Sequence, residues 1–146
     1  MDLKFSSVAA TPSNPNWNNL ISRKDELYKK ENDVRSEFER DYDRIIYCNA
    51  YRRLKHKTQV FFLPKNDHIC TRIEHVNNVD ATSYTIAKAL GLNTTLTRAI
   101  SISHDIGHSP FGHKGEQILN RICMENDLEA FWHERNGLIL LIILNC

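Results

Sequence analysis

The sequence predicts an all-α fold, and three observations carry that expectation. Apolar residues recur at helical spacing in separate stretches of the chain, start and stop signals for helices fall between those stretches, and 146 residues suffice for one small domain but hardly for two. The one exception expected is a short β-hairpin near residues 58–70.

Residues 1–22 hold Pro12, Pro15 and several asparagines with few periodic apolar positions, so they are expected to form a flexible N-terminal arm. Residues 23–146 are expected to form the domain. Charges of both signs alternate from Arg23 to Glu39, which suits a solvated helix or an extended leader. From Asp41 onward, Tyr42, Ile45, Ile46, Ala50 and Leu54 follow the spacing of an amphipathic helix that ends in the basic stretch Arg52–Lys57. The run Gln59-Val60-Phe61-Phe62-Leu63-Pro64 is too short for a stable helix and is closed by a proline, hence the hairpin expectation. A second helix carries Val76, Val79, Ser83, Ile86, Ala87 and Leu90 on one face, with His75 at its start and Gly91 as its stop. Asn93 can cap a third, in which Leu96, Ala99, Ile100, Ser103 and His104 share a face and Gly107 supplies the end, so His104 is expected to point inward. After the turn Gly107-His108-Ser109-Pro110, a further helix places Ile118, Leu119 and Ile122 on one side. The apolar run Leu138–Leu144 needs cover: as a buried helix turn, as an oligomer contact, or as the first part of a core element continued elsewhere.

Composition removes several function classes. With 19 Lys+Arg against 18 Asp+Glu the formal charge is +1, so nothing attracts nucleic acid or an anionic membrane over the whole surface, and any anion binding must be local. No run approaches the roughly 20 apolar residues of a membrane helix, and the first ten residues contain no apolar core of signal-peptide length. Cys48, Cys70, Cys123 and Cys146 are scattered without a C-x-x-C pair, which argues against a disulfide framework or a thiolate metal site and suits a reducing cytoplasm.

Four of the seven histidines, His75, His104, His108 and His113, fall in the middle of the chain, and Asp105 follows His104 directly. Imidazole and carboxylate together suit a borderline or hard divalent cation. If the helices on either side of Gly91–Thr94 pack antiparallel, His75, His104 and Asp105 can converge. Spacing alone leaves a second reading open, in which His104 is a hydrogen-bonded core residue and Asp105 an ordinary helix-end acid. His113 and Glu116, three apart at a helix start, share a face, so the carboxylate can hold the imidazole in one tautomer for acid–base work. The alternative there is a capping histidine beside an unrelated exposed acid. Arg52, Arg53, Lys55 and Lys57 form a basic run that is either a phosphate-facing patch or a solvated face. Arg72, three residues before His75, carries a planar fork suited to phosphate oxygens.

Read continuously, Arg72-Ile73-Glu74-His75 and His104-Asp105-Ile106-Gly107-His108-Ser109-Pro110-Phe111-Gly112-His113-Lys114-Gly115-Glu116 resemble the HD-superfamily phosphohydrolases, and within them the dGTP triphosphohydrolase (dNTPase) family. The blocks Arg40–Ile46, Tyr51–Phe61 and Trp132–Asn136 are similar to the same family, so the resemblance covers roughly residues 40–137. It implies an HD domain in which His75, His104 and Asp105 ligate one divalent metal ion, Mn or Mg first, with Fe, Zn or Co as alternatives. It further implies that His113 and Glu116 take part in catalysis, that His108 faces phosphate, that Gln59 reads the sugar 3′-hydroxyl, that Arg72 contacts substrate, and that His133 with Glu134 supports the site.

The activity so implied is hydrolysis of a deoxynucleoside triphosphate to the deoxynucleoside and triphosphate. In the family a further metal-ligating Asp comes from a much later helix, and Asp127 lies in the wrong order to be that residue. The sequence is therefore expected to be the N-terminal part of a longer enzyme and to be impaired alone. The resemblance also implies a homo-oligomer in the full-length form. Two alternatives remain at this level: an HD phosphohydrolase acting on another nucleotide phosphate ester, or a non-catalytic fragment that binds nucleotide, single-stranded nucleic acid or a partner chain through its basic stretch and apolar tail.

Overall fold

A computed structural model describes residues 4–23, 30–57 and 68–143. Among them are seven α-helices and no strand: α1 (Trp17–Leu20), α2 (Glu37–Tyr47), α3 (Asn49–Arg52), α4 (Arg72–Leu90), α5 (Thr94–Ser103), α6 (Gly112–Glu125) and α7 (His133–Ile143). Short 3-10 turns lie at Ser6–Val8 and Arg53–His56. The all-α expectation holds. The expected hairpin and Gln59 lie outside the described residues, except for residues 68–70, which form no strand.

Helix α2 begins four residues before the predicted start at Asp41, because a capping box sets the helix end. The Ser36 hydroxyl accepts from the Glu39 backbone N–H, and the Glu39 carboxylate accepts from the Ser36 N–H at 2.6 Å. The single helix expected through Leu54 is broken at Cys48, whose backbone is extended (φ −74°, ψ 151°), and restarts as α3. Beyond it, Leu54 is fully buried in the 3-10 turn.

The pair α4 and α5 forms the frame. Gly91 ends α4 in the left-handed conformation (φ 76°), and Asn93 caps α5 by accepting from the Leu96 N–H at 2.9 Å, as the sequence indicated. So short a connection folds α5 back against α4, and the end of α5 returns to the start of α4, where Arg72 meets Asp105. α2 packs on α5, and Arg98 on α5 grips Asp80 on α4 while donating to the Tyr42 hydroxyl on α2 at 2.9 Å.

Ile45, Ala50, Leu54, Val76, Ala99, Ile102 and Ile106 form the core. Along α5 the buried stripe is thus Ala99, Ile102 and onward to Ile106. The predicted face was rotated from this: Ile100 is 58% exposed and His104 lies at the rim. Ile86 on α4 is likewise exposed. The reason is that α5 is sandwiched by α2 and α4 together, so its buried arc is set by two neighbours and not by the most apolar side. On α6, Ile118 and Ile122 face solvent, and on α7, among the described residues of the apolar run, Leu140 and Leu141 pack on the core while Leu138, Ile139 and Ile142 are exposed.

The segment expected as a flexible arm lies against the helices in its described part. Ala9 is buried, the Phe5 N–H donates to the Leu90 carbonyl at 3.0 Å, the Asn93 amide donates to the Ala10 carbonyl, and Trp17 meets Phe38 edge to face. Asn14, read in sequence only as a loop former, donates to the Val8 and Ala9 carbonyls and so fixes the turn.

Candidate metal centre

The site is built where α4 begins and α5 ends. At the head of α4, the Glu74 carboxylate accepts from the Thr71 backbone N–H and hydroxyl, which fixes the first turn that carries Arg72 and His75. After Ser103 the chain leaves α5 through tight turns, with the Ile106 N–H bonded to the Ser103 carbonyl and the His108 N–H to that of Asp105. These turns place His104, Asp105 and His108 on the side facing α4.

One ligand atom from each of His75, His104 and Asp105 lies within 4.8 Å of the others. The rings of His75 and His104 are 5.4 Å apart between centroids. His104 Nδ1–H donates to the Ser101 carbonyl at 2.7 Å, and a backbone acceptor on Nδ1 leaves the Nε2 lone pair as the ligand atom. That nitrogen faces Asp105 Oδ1 at 3.3 Å. Two imidazoles and one carboxylate, with His104 held from behind by the Ser101 carbonyl, make a donor set that fits a divalent ion.

Asp105 is buried and heavily bonded. Arg72 Nη1 donates to Oδ2 at 2.9 Å and His108 Nε2–H to Oδ1 at 3.1 Å. Burial pushes its carboxyl up, but the His108 and Arg72 hydrogen bonds, with His104 close by, outweigh this and hold it well below the usual carboxylate range. The His108 ring stacks on His133, at 4.0 Å between centroids and 17° between planes. His133 in turn joins Glu116 through Nδ1 at 3.0 Å and Glu134 through Nε2 at 3.1 Å. Burial pushes the Glu116 carboxyl up, and the His133 hydrogen bond more than reverses it, so Glu116 sits below its ordinary value.

Here the pairing differs from the sequence expectation. Glu116 is bonded to His133 on α7, while His113 is 92% exposed with Nδ1 3.8 Å from Glu116, beyond hydrogen-bond reach. Spacing of three on α6 brought the two onto one side of the helix, but α7 supplies a nearer imidazole. In the basic run, Arg52, Arg53 and Lys55 are exposed, as a solvated face would be. Lys57 is different: it is half-buried and its ammonium donates to the His108 carbonyl. Burial, followed by the nearby Arg53 and Arg72 charges, pushes it down to about 8 despite Asp105. Nothing in sequence separated Lys57 from its basic neighbours.

The family model of the HD domain matches residues 72–141. Similar curated proteins include a deoxyguanosinetriphosphate triphosphohydrolase-like protein of Caldanaerobacter subterraneus, 54% identical over 73% of this chain and 37% of that protein. Others of the same name come from Desulfatibacillum aliphaticivorans (49% identical; 72% of this chain, 29% of that protein) and Pelagibacter ubique (45% identical; 88% and 35%). The chain spans about a third of the length of these relatives. No helix among the described residues is long and apolar enough to cross a membrane. With the histidine–aspartate pair at the end of α5 and this extent of identity, the chain belongs to the HD-domain superfamily, in its deoxyguanosinetriphosphate triphosphohydrolase-like family.

Proposed function

We propose that the centre serves metal-dependent hydrolysis of a deoxynucleoside triphosphate to deoxynucleoside and inorganic triphosphate. The observation that carries this reading is the convergence of His75, His104 and Asp105 within 4.8 Å beside two further cationic side chains, Arg72 and Lys57. The names of the similar proteins supply the substrate class. His75 Nδ1 or Nε2, His104 Nε2 and an Asp105 oxygen would hold the ion, with Mn²⁺ or Mg²⁺ the first candidates. When bound, a divalent cation polarises a phosphoryl oxygen and lowers the pKa of water at the site.

The side chains provide the rest. Arg72 offsets phosphate charge while anchored to Asp105. The His108 ring, fixed between Asp105 and His133, presents an N–H toward the ligand cluster. Proton transfer falls to the imidazoles on the other side: His133, oriented by Glu116, and the exposed His113, which an approaching substrate can contact without breaking an internal bond. The test is product analysis with dGTP and the other deoxynucleoside triphosphates in Mn²⁺ or Mg²⁺. Intact triphosphate supports the reading, and pyrophosphate refutes it.

A second reading has its own observation. Only three convergent protein donors occur among the described residues, a small set for a firmly oriented ion. This favours nucleotide binding without turnover by this chain. Saturable dGTP binding with no product, lost in His104→Ala, would select it.

A further inference from the structure

We propose that Lys57 is a positioning residue: its ammonium, donated to the His108 carbonyl oxygen, holds the His108 turn against the ligand cluster so that the imidazole can meet a polyphosphate. The role toward polyphosphate rests on the reading under Proposed function, whereas the hold on the turn stands on geometry alone.

Both ends of the Lys57 backbone are fixed. Its N–H donates to the carbonyl of the fully buried Leu54 at 3.3 Å, and its own carbonyl accepts from the Arg72 N–H at 2.8 Å, one of the donors that the first turn of α4 leaves without an intrahelical partner. With the stem thus pinned to the core and to the head of α4, the side chain reaches across to the turn after α5. It forms a second tie between the two halves of the site, beside the Arg72–Asp105 ion pair.

The charged groups that face the ammonium are Arg53 from the 3-10 turn, Arg72 from α4 and Asp105 from the turn itself. A half-buried ammonium between two guanidiniums is costly unless it has a good acceptor, and the His108 carbonyl is the acceptor it has. Its lowered proton affinity is still high enough to leave it charged near neutrality. Because the His108 ring is bonded to Asp105 on one side and stacked on His133 on the other, a shift of its backbone must disturb both contacts.

The test uses the 146-residue chain with ¹⁵N-labelled lysine and histidine, and the variants Lys57→Met, Lys57→Gln and Lys57→Arg. In the unliganded chain, Lys57→Met should move the His108 ring resonances and leave those of the exposed His113 in place, and Lys57→Arg, a donor of similar reach, should restore them. Inorganic tripolyphosphate with Mg²⁺, followed by calorimetry, should bind roughly tenfold more weakly to Lys57→Met and Lys57→Gln, the loss expected for one charge-assisted bond. Weakened binding with unmoved His108 resonances overturns the proposal in favour of direct contact between Lys57 and phosphate. Unchanged resonances and unchanged binding overturn it outright. If Lys57→Met does not fold, the native chain decides: slow exchange of the Lys57 ammonium protons supports the hold, and exchange as fast as at exposed Lys55 refutes it. Should native protein bind no tripolyphosphate, the hydrolase reading fails, while the resonances still report on the Lys57 tie.

Discussion

Gly107→Ala isolates the contact by which α7 reaches the site. The φ of Gly107 lies outside the left-handed region, so an added methyl group is opposed by space alone. A Cβ there would lie 2.1 Å from the His133 carbonyl oxygen and 2.3 Å from the Gly137 nitrogen, both backbone atoms that cannot rotate away. Ordinary contact begins at 3.4 Å, so the α7 backbone must retreat by about 1.3 Å. That is enough to break the Asn136 amide bond to the Gly107 carbonyl (2.8 Å) and to stretch His133–Glu116 (3.0 Å) past useful range. Overpacking of this kind costs about 1–3 kcal/mol. Urea unfolding should show that loss, and NMR should show the His133 ring released from Glu116 and from its stack on His108. Gly112→Ala is the control: nothing lies within 4 Å of its added Cβ, but its φ of +55° strains any side chain, so it should cost about 1–2 kcal/mol with His133 undisturbed. If Gly107→Ala stays within about 0.5 kcal/mol of the native chain and His133 keeps its partners, the proposed close docking of α7 is wrong.

Other perturbations probe the remaining parts. Asp105→Asn should weaken Mn²⁺ binding by more than about tenfold in a metal titration, since it removes the only carboxylate among the three convergent donors. Leu54→Ala, at a side chain with no exposure, should lower unfolding free energy by about 2–5 kcal/mol by denaturant titration. Ser36→Ala should cost about 1 kcal/mol through loss of the α2 cap. The Glu39 carboxyl is held below its ordinary 4.5 by the Ser36 backbone N–H and then the Ser36 hydroxyl. A carboxyl lowered in the folded state binds fewer protons than in the unfolded chain, so its stabilisation is complete above about pH 4.5 and fades as pH falls through the folded value. The stability gap between native protein and Glu39→Gln should therefore narrow on acidification from pH 5 to 3, and a gap that widens would contradict the sign.

Local signals were legible where a short stretch of chain determines its own conformation. Gly91 needed only its freedom at positive φ to end α4, and Asn93 only its side-chain oxygen to start α5, so both boundaries stood in the sequence. The convergence of His75, His104 and Asp105 follows from the shortness of that same connection, which folds α5 back antiparallel along α4. The Ser36-x-x-Glu39 pattern was equally present and would have placed the start of α2, but the surrounding alternation of charges concealed it. Which arc of α5 is buried was not legible, because α2 is distant in sequence and helps decide it, turning Ile102 inward and Ile100 out.

The same distinction explains why Glu116 bonds to His133 on α7 and not to His113 on its own helix. His113 and Glu116 satisfy the local rule for side chains three apart on a helix, and local rules are all that spacing can express. Whether the carboxylate turns to His113 or elsewhere depends on what stands across from α6. There Gly107 decides: it lacks a side chain where the backbone of His133 and Gly137 approaches, and Gly137 is buried beside it. The bareness of Gly107 lets α7 come close enough for His133 to reach Glu116 and cover His108. In the sequence Gly107 read as a helix stop and Gly137 as nothing in particular, since a close approach between segments leaves no pattern within either one.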